Sequence, residues 1–320
     1  MTRQIIAGMI ALFFISCGTR ISGKLPLSYS NKMLTSPEIF AEGVIVTPGR
    51  SVFNVCFSPD GRNVYFTGRT GQEKQKIWRS TFVGNSWTKP GVCPFSTDRD
   101  ENPSITPDGK TLYFGSTRPI TGRPTKGNFD MNIWKVNWDG KDWANPVAVG
   151  SEINAVQQEK EEWPSSNESF IFTNDNVNFL YSSMIRGTKT IDIFKTSSNG
   201  NAFSNSVNID GLFGNENPWK SSAIISPDGN YLLFNAYGAE SGFGGEDIFI
   251  SKKTSTGWSK AKNIGAIINT KTEEACPRFS PDGNYFFFAR EIKENADEEG
   301  IWKIYFMETK FLRLETLFNN

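Results

Sequence analysis

Carboxylates and guanidiniums recur at matched places along this chain, and these are the groups whose types and spacing could do chemistry. Acidic residues cluster at Asp98, Asp100 and Glu101, at Glu159, Glu161, Glu162 and Glu168, at Glu216, and at Glu273 and Glu274. Arginines recur as a second set, Arg69, Arg118, Arg186 and Arg290, with Tyr237 in the corresponding place of one further unit. Two uses are open. The two sets could line a polar cavity for an anionic or sugar ligand, or they could pair with each other and hold neighbouring elements in register. As catalysts, two carboxyls about 5 to 9.5 Å apart across a sugar-sized pocket would hydrolyse a glycoside. Glu101, Glu168, Glu216 and Glu274 are the candidates. Trp163 and Trp219, which have no counterparts elsewhere, are candidate binding anchors beside the same loops.

Much other chemistry is excluded. The 320 residues contain no histidine, which removes Ser-His-Asp and Cys-His nucleophile activation and every histidine-bearing metal site. No Cys-x-x-Cys, Gly-x-Ser-x-Gly or phosphate-binding glycine loop occurs, so no cofactor and no metal are implied. Lys plus Arg equals Asp plus Glu, 34 of each, and a chain without basic excess is not expected to bind nucleic acid.

The elements that would position these groups repeat. Ser58-Pro59-Asp60-Gly61 returns as Thr106-Pro107-Asp108-Gly109, Ser226-Pro227-Asp228-Gly229 and Ser280-Pro281-Asp282-Gly283, with a worn copy at Thr173-Asn174-Asp175-Asn176. Each reads as a tight turn in which proline presets φ, Asp accepts from the backbone two residues on, and Gly or Asn takes the φ > 0 corner. An apolar residue stands three before each Asp (Phe57, Ile105, Phe172, Ile225, Phe279), and a small polar residue or cysteine six before it (Asn54, Asn102, Ser169, Ser222, Cys276). Apolar runs such as Val64-Tyr65-Phe66 and Leu112-Tyr113-Phe114 follow the turns and read as central strands. A third strand is marked by Trp78, Trp134, Phe194, Phe249 and Tyr305, and a fourth element by Trp87, Trp143, Phe203 and Trp258. The recurrence of these aromatics predicts that they pack between units.

Turn aspartates at 60, 108, 175, 228 and 282 lie roughly 50 residues apart, and four short strands at that period predict a β-propeller. The expectation is all-β: five four-stranded antiparallel blades, six being the alternative. The last unit lacks an outer strand, and Phe40 to Val46 resembles the outer strand of the fourth unit at Asn263 to Thr270, so the N-terminal strand is expected to close the fifth blade.

Residues 1–16 carry Arg3 and an apolar stretch too short to span a bilayer, as in a secretory signal. The motif ending at Cys17 resembles a bacterial lipoprotein signal, which implies lipidation of Cys17. Residues 17–36 read as a flexible tether, 37–314 as one propeller domain and 315–320 as a tail. Of the remaining cysteines, Cys56, Cys93 and Cys276, a Cys56–Cys276 bridge or buried free thiols are both open, free thiols being favoured.

The segment Gly244-Gly245-Glu246-Asp247-Ile248-Phe249, followed by Gly257-Trp258-Ser259, Asn263-Ile264-Gly265, Ile268-Asn269-Thr270, Glu273-Glu274 and Pro277 to Gly283, resembles the TolB-type, WD-repeat-like propellers of bacterial periplasmic proteins and lipoproteins, in the form common in Bacteroidetes-type bacteria. The resemblance covers roughly residues 39 to 314. It implies a propeller that binds or scaffolds rather than catalyses, and it implies no particular ligand. With the Cys17 motif, and with no acidic motif directly after Cys17 to mark surface export, the expectation is a monomeric protein, lipid-anchored at the outer membrane facing the periplasm, touching the membrane only through its lipid and engaging an envelope protein, peptide or glycan. A carboxylate-dependent glycoside hydrolase is the alternative.

Overall fold

The Ser-Pro-Asp-Gly turns form as their chemistry requires. In the first, Gly61 N donates to Ser58 O at 2.7 Å, Asp60 Oδ1 accepts from Ser58 Oγ at 2.6 Å and from Arg62 N at 3.0 Å, and Gly61 takes φ +70°. The copy at Asp175 keeps the Asp contact, with Val177 N at 2.9 Å, and places Asn176 at φ +63°.

The computed structural model describes residues 27–123, 130–156, 169–188, 190–200, 202–293 and 300–319. Each turn joins the first two strands of an antiparallel sheet. Blade 1 comprises Arg50–Phe57, Asn63–Thr70, Lys76–Val83 and Gly91–Val92. Blade 2 comprises Asp100–Ile105, Thr111–Ser116, Asn132–Asn137 and Val147–Ala148, and blade 3 Ile171–Thr173, Asn178–Met184, Ile191–Ser197 and Val207–Asn208. Blade 4 comprises Trp219–Ile225, Tyr231–Tyr237, Glu246–Thr254 and Lys262–Asn263, and blade 5 Glu274–Phe279, Tyr285–Ile292, Ile301–Glu308 and the N-terminal Glu38–Ile39. The first strand of every blade is innermost, and neighbouring innermost strands touch around the ring. The chain is a five-bladed β-propeller.

Ring closure uses a shorter and earlier strand than expected. Glu38 and Ile39 pair with Phe306 and Tyr305, and Phe40 N donates to Ile304 O at 2.9 Å. Phe40 to Val46 does not continue the strand, because Ala41 takes φ +46° and its carbonyl accepts from Val44 N and Ile45 N. Phe40 and Ile45 are instead fully buried. Blade 4 does the same: after Lys262–Asn263, Gly265 O accepts from Ile268 N and Asn269 N.

Residues 27 to 36, inside the expected tether, pack at the seam between blades 5 and 1. Tyr29 stacks on Phe57 with centroids 5.6 Å apart, touches the rings of Phe40, Trp87 and Tyr285, and donates from its hydroxyl to Gly61 O at 2.8 Å. Leu34 is buried, and Glu308 N donates to its carbonyl. At the other end Phe318 lies beside Tyr231, and Lys262 Nζ donates to Leu317 O.

Four of the five positions six before a turn Asp have a structural cause. Asn54, Asn102, Ser222 and Cys276 sit at β-bulges with φ between +43° and +57°. The bulge turns three of their amides outward to the preceding blade: Asn102 N donates to Thr67 Oγ1, Ser222 N to Ser182 Oγ, and Cys276 N to Asn235 Oδ1. Side chains of the same residues link neighbouring innermost strands, Asn54 Nδ2 donating to Asn102 Oδ1 at 3.0 Å. Recurring aromatics also pack between blades: Trp143 Nε1 donates to Tyr65 OH at 3.1 Å, and Phe203 meets the Tyr113 ring. Cys56, Cys93 and Cys276 are free and buried, and burial pushes each thiol up to about 12.

Candidate ligand-binding funnel

Because every innermost strand runs from the loop face to the turn face, residues at strand starts converge at one mouth of the axis. There a cavity of about 320 Å³ is lined by Arg69, Arg99, Glu101, Asn235, Glu246 and Trp302, among others. Glu101 is buried, with Arg99 Nη2 at 3.4 Å. Burial raises its carboxyl and the Arg99 charge opposes that rise. Glu246 lies where Glu246–Thr254 begins. Burial pushes its carboxyl up to about 7, the hydrogen bond from Asn235 works the other way, and Glu273, Asp247 and Glu291 add to the rise. Asn235 is held in place: its Nδ2 donates to Glu246 Oε1 and, at 2.7 Å, to Ser221 Oγ, while its Oδ1 accepts from Cys276 N.

An aromatic pair stands at the rim. Trp219 and Tyr237 are cross-strand partners, 48% and 52% exposed, with ring centroids 6.2 Å apart. Tyr237 is in turn the cross-strand partner of Glu246. Beside them the glycine-rich loop 238–245 carries exposed Phe243 and is shaped by Asp247, whose Oδ2 accepts from Phe243 N at 2.7 Å and Gly244 N at 3.0 Å. Glu216 Oε2 accepts from Glu240 N, fastening the same loop.

The candidate residues therefore divide. Glu101 and Arg69 line the funnel, and Trp219 stands at its edge. Arg118 is turned to Asp98 and Asp100, with Nη2 on Phe95 O, and Arg290 to Glu274, with Nη2 on Ile268 O. Both carbonyls belong to the segment leaving the preceding blade, so these arginines join successive blades. Glu274 is fully buried, its Oε1 accepting from Thr270 Oγ1 and Arg290 and its Oε2 from Thr270 N. Arg186 donates to Val156 O at an exposed edge. Cys17, Trp163 and Glu168 lie outside the described residues. Among the described residues no three His, Cys, Asp or Glu side chains are grouped to hold a metal.

Glu246, Asn235, Arg99 and Trp302 were not candidates on sequence. The Gly-Gly-Glu-Asp motif marked the loop, and its carboxylate at a strand start was the available signal.

No family model matches the sequence, and no curated protein matches it. Solved structures share the fold. TolB of Agrobacterium tumefaciens aligns at 16% identity and TM-score 0.50, over 83% of this chain and 79% of that one. A glycoside hydrolase aligns at 10% identity and TM-score 0.59, over 86% and 92%. The catalytic domain of a GH62 α-L-arabinofuranosidase from Coprinopsis cinerea aligns at 11% identity and TM-score 0.53, over 86% and 98%. This chain spans 55% of the length of TolB from Acinetobacter baumannii. These likenesses are of fold.

Proposed function

We propose that this protein is a non-catalytic binding propeller of the cell envelope, anchored through a lipid on Cys17, that takes a glycan at the funnel mouth. The carrying observation is the exposed Trp219–Tyr237 pair beside a cavity lined by amide, carboxylate and guanidinium side chains. Aromatic faces hold the apolar face of a sugar ring, and fixed polar groups select its hydroxyls. Screening on a glycan array, followed by calorimetry with the best oligosaccharide, tests the reading. Trp219→Ala is expected to weaken binding at least tenfold without moving the melting temperature. A wild-type protein that retains no saccharide would overturn it. Anchoring is tested separately: Cys17→Ser should release the protein from membranes.

One observation favours a second reading, glycoside hydrolysis. Glu246, whose carboxyl burial pushes up to about 7, shares the funnel with Glu101, and a carboxyl able to hold a proton near neutral pH beside a second one is the pair that such an acid and its partner base or nucleophile require. Aryl glycosides are the probe. Turnover lost in both Glu246→Gln and Glu101→Gln would support hydrolysis, and binding without turnover in the wild type would remove it.

A further inference from the structure

At the opposite mouth of the axis, the turn face, lies a second cavity of about 320 Å³. Its wall repeats around the ring: Phe57, Ile105, Phe172, Ile225 and Phe279, the residues three before each turn Asp, stand below the turn prolines. Its floor is different in kind. Arg278, on the innermost strand of blade 5, lines the cavity and is 6% exposed. Nε donates to Val55 O at 3.0 Å and Nη2 reaches Asn54 Oδ1 at 3.5 Å, both uncharged acceptors. Phe170 and Phe172 present ring faces 5.4 and 5.3 Å away. No carboxylate pairs with this guanidinium among the described residues. Arg118 and Arg290, by contrast, each have a fully buried carboxylate partner.

A buried cation without a counter-charge is costly, and an anion entering its cavity recovers part of that cost. The walls restrict which anion. Phosphate and sulfate are strongly hydrated and would need several donors; here Thr106, Thr173 and Ser280 line the cavity but direct their hydroxyls to the turn aspartates, which leaves one planar fork, with Asn174 at the rim, in a cup walled by phenylalanine and isoleucine. That combination suits a carboxylate, which a guanidinium meets in plane, carried on an apolar body that covers the phenylalanine and isoleucine walls. We propose that the turn-face cup is a second ligand site, distinct from the loop-face funnel, and that it takes an amphiphilic carboxylate headgroup-first onto Arg278.

The test uses 3-phenylpropionate, with 3-phenylpropanol as its uncharged twin, by calorimetry and ligand-observed NMR on the full chain. The acid should bind with a Kd below about 1 mM and the alcohol at least tenfold more weakly. Arg278→Met should abolish the difference. Since that change may unfold the ring, Ile225→Trp is the companion: Ile225 is partly exposed on the wall, and indole should fill the cup while leaving Arg278 in place. It is expected to reduce acid binding tenfold or more, whereas Trp219→Ala at the other mouth leaves it unchanged. Equal binding of acid and alcohol, no binding of the acid at about 20 mM, or undiminished binding to a folded Ile225→Trp protein each overturns the proposal.

Discussion

Arg118 Nη2 lies 3.1 Å from Asp100 Oδ2, with the Asp100 side chain fully buried and that of Arg118 only 11% exposed. The guanidinium also lies over the Trp134 ring, 5.2 Å from its centroid, and donates to Phe95 O in the segment leaving blade 1. Arg290 repeats the arrangement on Glu274, Tyr305 and Ile268 O. Two equivalent positions thus spend their charge on joining blades. Removing one partner leaves the other buried and uncompensated, so Arg118→Ala should cost about 3–5 kcal/mol in urea unfolding. Adding Asp100→Asn should recover part of that loss, because the orphaned charge is then absent. An Arg118→Ala protein as stable as the wild type would return this residue to the ligand rim.

Glu246 makes stability fall as pH rises. Its folded carboxyl titrates at about 7 against an ordinary 4.5, burial being the main cause. Between those values the folded state holds a proton that the unfolded state has released, so raising pH through this window draws the equilibrium toward unfolding. Below about pH 4.5 the group has no effect, and above about 7 its full cost is felt. Glu246→Gln should flatten the decline between pH 5 and 7 and melt above the wild type at pH 8. Urea midpoints across that range provide the measurement, and an unchanged slope in the variant would assign the decline to other buried carboxyls.

The blades were legible because the turn phrase is local chemistry: Pro, Asp and Gly act within five residues, and their period counts the sheets. The side on which a charge ends was not. Arg69 and Arg118 occupy corresponding ends of second strands, yet Arg69 lines the funnel with Ser51 as its cross-strand partner, whereas Arg118 meets Asp100. Arg278 reads as an unremarkable residue of an innermost strand, and its isolation depends on three blades meeting at the axis. The run Phe40 to Val46 shows the same limit. Apolar residues suit a strand or a buried turn equally, and Ala41 at φ +46° decides for the turn.

The seam yields a further expectation. Tyr29 and Leu34 precede the closing strand and contribute a partly buried ring and a buried side chain between blades 5 and 1. A chain beginning at residue 37 retains Glu38–Ile39 but loses both, and should melt well below one beginning at residue 27. Tyr29→Ala alone should cost about 3 kcal/mol, in the range of large aromatic deletions. Equal melting of the two truncations would mean that ring closure rests on Glu38 to Phe40 alone.

Three of the turn aspartates contribute stability that acid removes. In Asp228, burial pushes the carboxyl up, but hydrogen bonds from Ser226 Oγ at 2.6 Å and from Asn230 N and Nδ2 at 3.1 and 2.8 Å outweigh it and hold it below the ordinary 3.8. Asp108 and Asp175 are held low in the same way. A lowered folded value means that the unfolded chain takes up protons first as pH falls, so this stabilisation is present above about pH 4 and lost progressively below it. Asp228→Ala should cost about 1 kcal/mol at pH 7, the scale of hydrogen bonds at an exposed turn, and should shrink toward no effect by about pH 2. Urea unfolding of wild type and variant at both pH values measures the convergence. A penalty that persists undiminished in acid would mean that the aspartate acts through turn geometry rather than through its charge.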